Sequence, residues 1–114
     1  MKYLPLKKSL FVKNRGLFLN KMTKNSIAIF NSNDIMPTNA DGTLSFRQNN
    51  DLFWLSGIDQ EESILILNPF AKKESEKEML FLKETSDLIA IWEGEKLKKQ
   101  NAYNISGIKT VFWL

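Results

Sequence analysis

The sequence predicts an α/β domain, a mixed β-sheet flanked by helices. Three observations predict it. Short β-branched or apolar runs stand at Ser26–Phe30, Ser63–Leu67 and Met79–Leu82. Segments with helical spacing or helix-forming composition lie around them. One run, Ile64–Leu67, is apolar on both faces, as a central strand is. Buried strands interleaved with helices mark this kind of layered architecture.

Along the chain, Leu10, Phe11, Leu17, Phe18 and Met22 recur at spacings of seven and four. This places one apolar face on a helix from about Ser9 to Lys21, with Ser9 as its N-cap. Gly16 lies inside it, at a cost of about 1 kcal/mol against alanine. Ser26–Phe30 reads as a buried strand. Asn31–Ser45 reads as a loop, because it holds Pro37 and the turn dipeptide Asp41-Gly42. Loops of such length are uncommon unless they serve a function. Ser63–Leu67 is the clearest strand and ends at Asn68-Pro69. Lys72–Glu78 reads as a charged, solvated turn, and Met79–Leu82 as a strand close enough to pair with the previous one as a hairpin. Glu95–Tyr103 reads as an exposed helix and Ile108–Leu114 as a fourth strand. The chain stops on the apolar run Val111-Phe112-Trp113-Leu114. Natural termini are usually polar and frayed, so the domain is expected to be truncated at its C-terminal end.

Composition narrows the chemistry. With 114 residues and 43% apolar content, the chain is sized for one domain with its own core. It has no cysteine, which removes disulfides, thiol catalysis and thiolate metal sites. It has no histidine, which removes most general acid–base schemes and transition-metal sites. Charge is uneven: Lys2, Lys7, Lys8, Lys13, Arg15, Lys21 and Lys24 precede any acidic residue, although the whole chain carries only +3. That basic segment reads as a solvated helix face. No apolar run approaches the ~20 residues needed to span a bilayer. The N-terminus lacks a signal-peptide pattern, so a cytoplasmic setting is expected.

The most distinctive segment is Phe46-Arg47-Gln48-Asn49-Asn50-Asp51-Leu52-Phe53-Trp54-Leu55-Ser56-Gly57-Ile58. On residues alone it reads as an Arg47–Asp51 ion pair leading into a buried strand and turn. It resembles the signature F/Y-R-Q-x-S/N-D-F-x-Y-L-T-G-F of the aminopeptidase P N-terminal domain, also called the creatinase/prolidase N-terminal domain. Arg47, Gln48, Asp51, Leu55 and Gly57 match, and Glu61-Glu62-Ser63 before Ile64–Leu67 matches the continuation. Trp92-Glu93-Gly94-Glu95-Lys96 is similar to the family's W-x-G-x-R/K block. Asp41, six residues before Arg47, stands where the family places an acidic residue. Leu52, Trp54, Ser56, Ile58 and Ser45 depart from the family's usual residues. The first four keep size or polarity, which bears on subfamily more than family.

The resemblance implies a mixed sheet with a ribonuclease H-like motif. It also implies a non-catalytic role beside a C-terminal catalytic domain, in an enzyme that removes an N-terminal residue preceding proline. That second domain would hold two manganese ions through two aspartates, one histidine and two glutamates. This chain would contact it and neighbouring protomers in a homodimer or homotetramer that binds peptide. By motif position, Trp92 and Asp41 would line a neighbouring protomer's substrate cleft. Trp92 also suits ordinary core packing, and Asp41 suits Asp-Gly turn chemistry. Arg47, Gln48, Asp51, Gly57 and Gly94 would hold the domain's own fold. A prolidase- or creatinase-type relative is the nearest alternative. A small basic nucleic-acid-binding module (sequence pI ≈ 9.2) is the alternative from another class, but the aromatics fall in apolar runs instead of alternating with Lys and Arg. Neither nucleic acid nor membrane is expected as a partner. Asp59, Glu61 and Glu62 form a carboxylate cluster whose spacing fits no calcium loop, so it reads as a solvated turn.

Overall fold

The structure is a computed structural model that describes residues 6–33, 47–93 and 96–114. Its elements run α1 (Lys8–Leu19), β1 (Ala28–Asn31), α2 (Asn50–Ser56), β2 (Ile64–Leu67), a 3-10 turn (Glu74–Glu76), β3 (Glu78–Leu82), α3 (Asp87–Glu93), α4 (Lys99–Ser106) and β4 (Thr110–Trp113). The four strands lie in chain order in one sheet. β1 and β2 pair antiparallel, β2 and β3 pair antiparallel, and β3 and β4 pair parallel. This is the mixed sheet that the sequence predicts, and β2–β3 is the expected hairpin. A parallel pair needs a crossover, and α3 and α4 lie within it.

The register sorts the side chains onto two faces. Leu65 stands opposite Leu80, and Leu82 opposite Trp113. With Leu67, these place four fully buried leucines on the face that carries the core. Leu52 and Leu55 of α2, Ile58, Ala102 of α4 and Ile108 complete that core, with Phe18, Leu19, Met22, Phe30 and Trp113 packed around it.

The elements differ from expectation where polar chemistry overrides apolar pattern. α1 begins at Lys8 with Lys7 as N-cap and no side-chain cap, so Ser9 is inside the helix. Its buried stripe is Phe11, Asn14 and Arg15, while Leu10 and Leu17 are exposed. The basic segment is therefore not wholly a solvated face, because Arg15 is 1% exposed. Phe53-Trp54-Leu55 is helical, not a buried strand: α2 is set by its ends. Asn49 Oδ1 accepts from the N–H groups of Asp51 and Leu52 at 3.0 and 3.1 Å. At the other end Gly57 takes φ 72°, the left-handed conformation that closes helices. An added Cβ there would lie 2.5 Å from the Phe11 ring, so glycine also lets α1 approach. α4 occupies Lys99–Ser106, shifted from the expected Glu95–Tyr103. It ends as α2 does: in Ser56-Gly57-Ile58 and Ser106-Gly107-Ile108 the serine hydroxyl donates to the carbonyl four residues back and accepts the isoleucine N–H.

Candidate functional site

Three segments meet in a polar junction beside α2: residues 47–49, the turn 58–63, and 96–97. Gln48 is its centre. It is 6% exposed, and its amide is used on both sides. Nε2 donates to the carbonyls of Ile58 and Gln60, each at 3.0 Å. Oε1 accepts from the N–H groups of Asn49 at 3.0 Å and Asn33 at 3.3 Å. Gln60 is equally buried. Its backbone carbonyl also accepts from Ser63 Oγ at 2.7 Å, and its side-chain oxygen accepts from the N–H of Leu97 at 2.8 Å. Gln60 Nε2 is buried without a hydrogen-bond partner among the described residues.

Beside it, Lys96 donates a hydrogen bond to Glu61 across 35 positions of sequence, and both side chains are mostly buried. Glu62 lies 3.8 Å from Lys83. Burial pushes the Glu61 carboxyl up. The Lys96 hydrogen bond, a hydrogen bond from Glu61's own backbone, and the charges of Lys96 and Lys83 outweigh it and hold the carboxyl below its ordinary value of 4.5. A depressed carboxylate contributes stability above its unfolded value and loses it as pH falls through its folded value. Urea unfolding is therefore expected to show a gap between wild type and Glu61→Gln on the order of 1 kcal/mol at neutral pH. The gap holds down to about pH 4.5 and shrinks below it. A gap independent of pH through the acid range would show that the carboxylate charge contributes nothing.

The predicted residues distribute as follows. Gln48 and Gly57 hold the chain at the two ends of α2. Arg47 and Asp51 are exposed, and no ion pair joins them among the described residues. The Arg47 carbonyl accepts from Asn33 Nδ2 at 3.0 Å, and Asp51 sits in the first turn of α2, where an acidic side chain complements the helix dipole. Arg47, Gln48, Asn50, Phe53 and Asp59 line a shallow cleft of about 280 Å³. Asp41, Gly94 and the side chain of Trp92 lie outside the described residues; the backbone of Trp92 is in α3. Sequence reasoning did not find Gln60 or the Glu61–Lys96 pair. The signal was partly there, since Lys96 closes the W-x-G-x-K block and Glu61 follows the first block.

The junction is a fastening. Its polar groups are mostly matched to backbone partners, and among the described residues it holds no nucleophile paired with a base. Among the described residues no group of three or more His, Cys, Asp or Glu side chains could hold a metal ion. Of the Asp59–Glu61–Glu62 cluster, two carboxylates face lysines. Among the described residues, no helix is long and apolar enough to cross a membrane.

No curated protein matches this chain. Solved structures do. It is similar to a structure from Bacillus anthracis provisionally described as an aminopeptidase P, at 29% identity and TM-score 0.84, covering 96% of this chain and 26% of that one. Aminopeptidase PepP of Pseudomonas aeruginosa gives 24% identity and TM-score 0.84, covering 96% and 24%. Aminopeptidase P of Escherichia coli gives 21% and 0.80, covering 96% and 25%. The chain thus spans about a quarter of the length of these structures. The sequence model for "Aminopeptidase P, N-terminal domain" matches residues 11–114. By that match over nearly its whole length, with the signature's Gln48 at the centre of the polar junction, the chain belongs to the aminopeptidase P N-terminal domain family.

Proposed function

We propose that this chain is the non-catalytic N-terminal domain of an Xaa-Pro aminopeptidase, a cytoplasmic metallopeptidase. The observation that carries this reading is the family match over residues 11–114, in a chain that spans only a quarter of its structural relatives. The catalytic half would lie in a separate domain holding two manganese ions. The residues here do not fit that role: there is no histidine, and the described carboxylates do not gather into a ligand set. This domain's part is to make oligomer contacts and to offer Trp92 and Asp41 to a neighbouring protomer's substrate cleft. A flat indole suits a proline ring, since both present rigid apolar faces.

Trp92→Ala in the full-length enzyme is expected to lower kcat/KM on Xaa-Pro peptides about tenfold, equivalent to about 1.4 kcal/mol of transition-state stabilisation. Metal content should be unchanged. Wild-type kinetics in that variant would remove Trp92 from the cleft.

A further inference from the structure

The acidic residues of this chain are confined to its middle. Asp34 is the first and Glu95 the last, so residues 1–33 and 96–114 carry basic side chains and no acidic ones. Folding lays these two acid-free stretches against each other. α1 packs on α4, and a Cβ built on Gly107 would lie 2.6 Å from Val12 and 3.2 Å from Lys8. α4 in turn packs on β4, the strand at one edge of the sheet. Arg15, Lys77, Lys83 and Lys96 each meet a glutamate. Among the described residues Lys8, Lys99 and Lys109 meet no carboxylate, and all three are exposed.

These three lysines gather around Tyr103. Lys99 stands four residues before it, on the same face of α4. Lys8 Nζ lies 4.6 Å from the centre of its ring. Lys99, Gln100, Tyr103, Lys109 and Val111 line a cleft of about 290 Å³ between α4 and β4. Val111 and the ring supply apolar wall, and the lysines supply charge. Lys99 Nζ is also 5.1 Å from the Trp113 ring. Cation–π contacts of this length hold two of the ammonium groups in place. Groups held in advance lose less freedom when a ligand arrives.

We propose that this cleft binds an acidic segment of a partner protein, in which carboxylates alternate with an aliphatic residue. The carboxylates meet Lys8, Lys99 and Lys109, and the aliphatic side chain rests on Val111 and Tyr103. Charge complementarity selects a polyanion. The apolar wall selects polypeptide over nucleic acid, whose bases need free aromatic faces for stacking. Here Lys8 occupies a face of Tyr103, and Lys99 a face of Trp113. A second copy of this chain is a poorer occupant, because its Glu61, Glu62, Glu74 and Glu78 already meet its own cations.

A labelled peptide of repeated Glu-Glu-Leu, titrated into the full-length protein at near-physiological salt, tests this by fluorescence anisotropy. Saturable binding is expected. Lys99→Glu and Lys109→Glu should each weaken it about tenfold. Lys24→Glu makes the same charge change in the turn before β1, at the opposite edge of the sheet, and should leave affinity within about twofold of wild type. Replacing the leucines of the peptide by serine should also weaken binding. The substituted lysines are exposed, so melting temperatures should stay at the wild-type value. Absence of saturation up to about 1 mM peptide overturns the proposal, as do equal losses in Lys24→Glu and Lys99→Glu. Tighter binding of a single-stranded oligonucleotide of equal charge overturns it as well, and so does a serine peptide that binds as well as the leucine one.

Discussion

Arg15→Ala is expected to destabilise the domain by about 3–5 kcal/mol, from the lost packing of a buried side chain, an unmatched buried carbonyl and a lost charge-assisted bond to a partly exposed carboxylate. Arg15 is 1% exposed, in the middle of the α1 face that meets α2. Its Nε is 2.9 Å from Glu78 Oε2 at the start of β3, and its Nη1 donates to the Leu55 carbonyl at 2.9 Å. The last carbonyls of a helix have no partner within it. Arg15 serves Leu55, and the neighbouring Asn14 Nδ2 serves Trp54 at 2.8 Å. One cation therefore closes the negative end of α2 and neutralises a sheet carboxylate, joining three elements. Removing it leaves the Leu55 carbonyl unmatched and Glu78, 30% exposed, beside the space it vacates. For a domain of this size each 1 kcal/mol moves Tm by about 4–8 °C, so the melting point should fall by more than about 12 °C. Arg15→Lys should recover little, because an ammonium does not reproduce the planar fork that reaches both partners. Arg15→Ala combined with Glu78→Gln should cost less than the two single changes added together. A thermal shift of only a few degrees for Arg15→Ala would show that the pair is solvated and that apolar packing alone holds α1 in place.

Arg15 also shows why α1 was only partly legible. Leu10 and Leu17 dominate the apolar pattern, but the helix turns Phe11, Asn14 and Arg15 inward. A polar pair that satisfies the end of another helix is invisible to a pattern that counts apolar residues. The strands were legible because their information is local. Ile64–Leu67 and Met79–Leu82 are apolar, short and bounded by polar turns, and they pair as that pattern requires. α2 and α3 were not legible by periodicity, since seven residues make barely two turns. Phe53-Trp54 favours a strand by propensity, and Asn49 and Gly57, the residues that make α2 a helix, act through backbone groups at its ends. At the site, Gln48 and Gly57 stood out through the family signature, whereas the Glu61–Lys96 contact spans 35 positions that no local pattern connects.

Gln48→Leu is expected to cost roughly 2–4 kcal/mol, from several buried backbone groups losing partners while apolar volume is kept. The orientation of the Gln48 amide is unambiguous, because all four of its partners are backbone groups of known kind. Two carbonyls, of Ile58 and Gln60, require the Nε2 side, and two N–H groups, of Asn33 and Asn49, require the Oε1 side. That gives a sharper test in Gln48→Glu, which is nearly isosteric. A carboxylate still accepts from Asn33 and Asn49 but turns an oxygen toward the two carbonyls, where nothing is left to donate. At neutral pH this variant should be at least as unstable as Gln48→Leu, because a buried charge is added to the lost donors. Its folded carboxyl is then raised above the unfolded value. The deficit against wild type at the same pH should therefore shrink as pH falls and the carboxyl binds a proton in the folded state. The protonated acid restores one of the two donors, so recovery should be partial. Chemical denaturation at neutral and acidic pH measures both quantities. Wild-type stability for Gln48→Glu at neutral pH would mean that the turn at residues 58–60 is held by something other than this amide, and the anchor beneath Glu61 and Lys96 would have to be sought elsewhere.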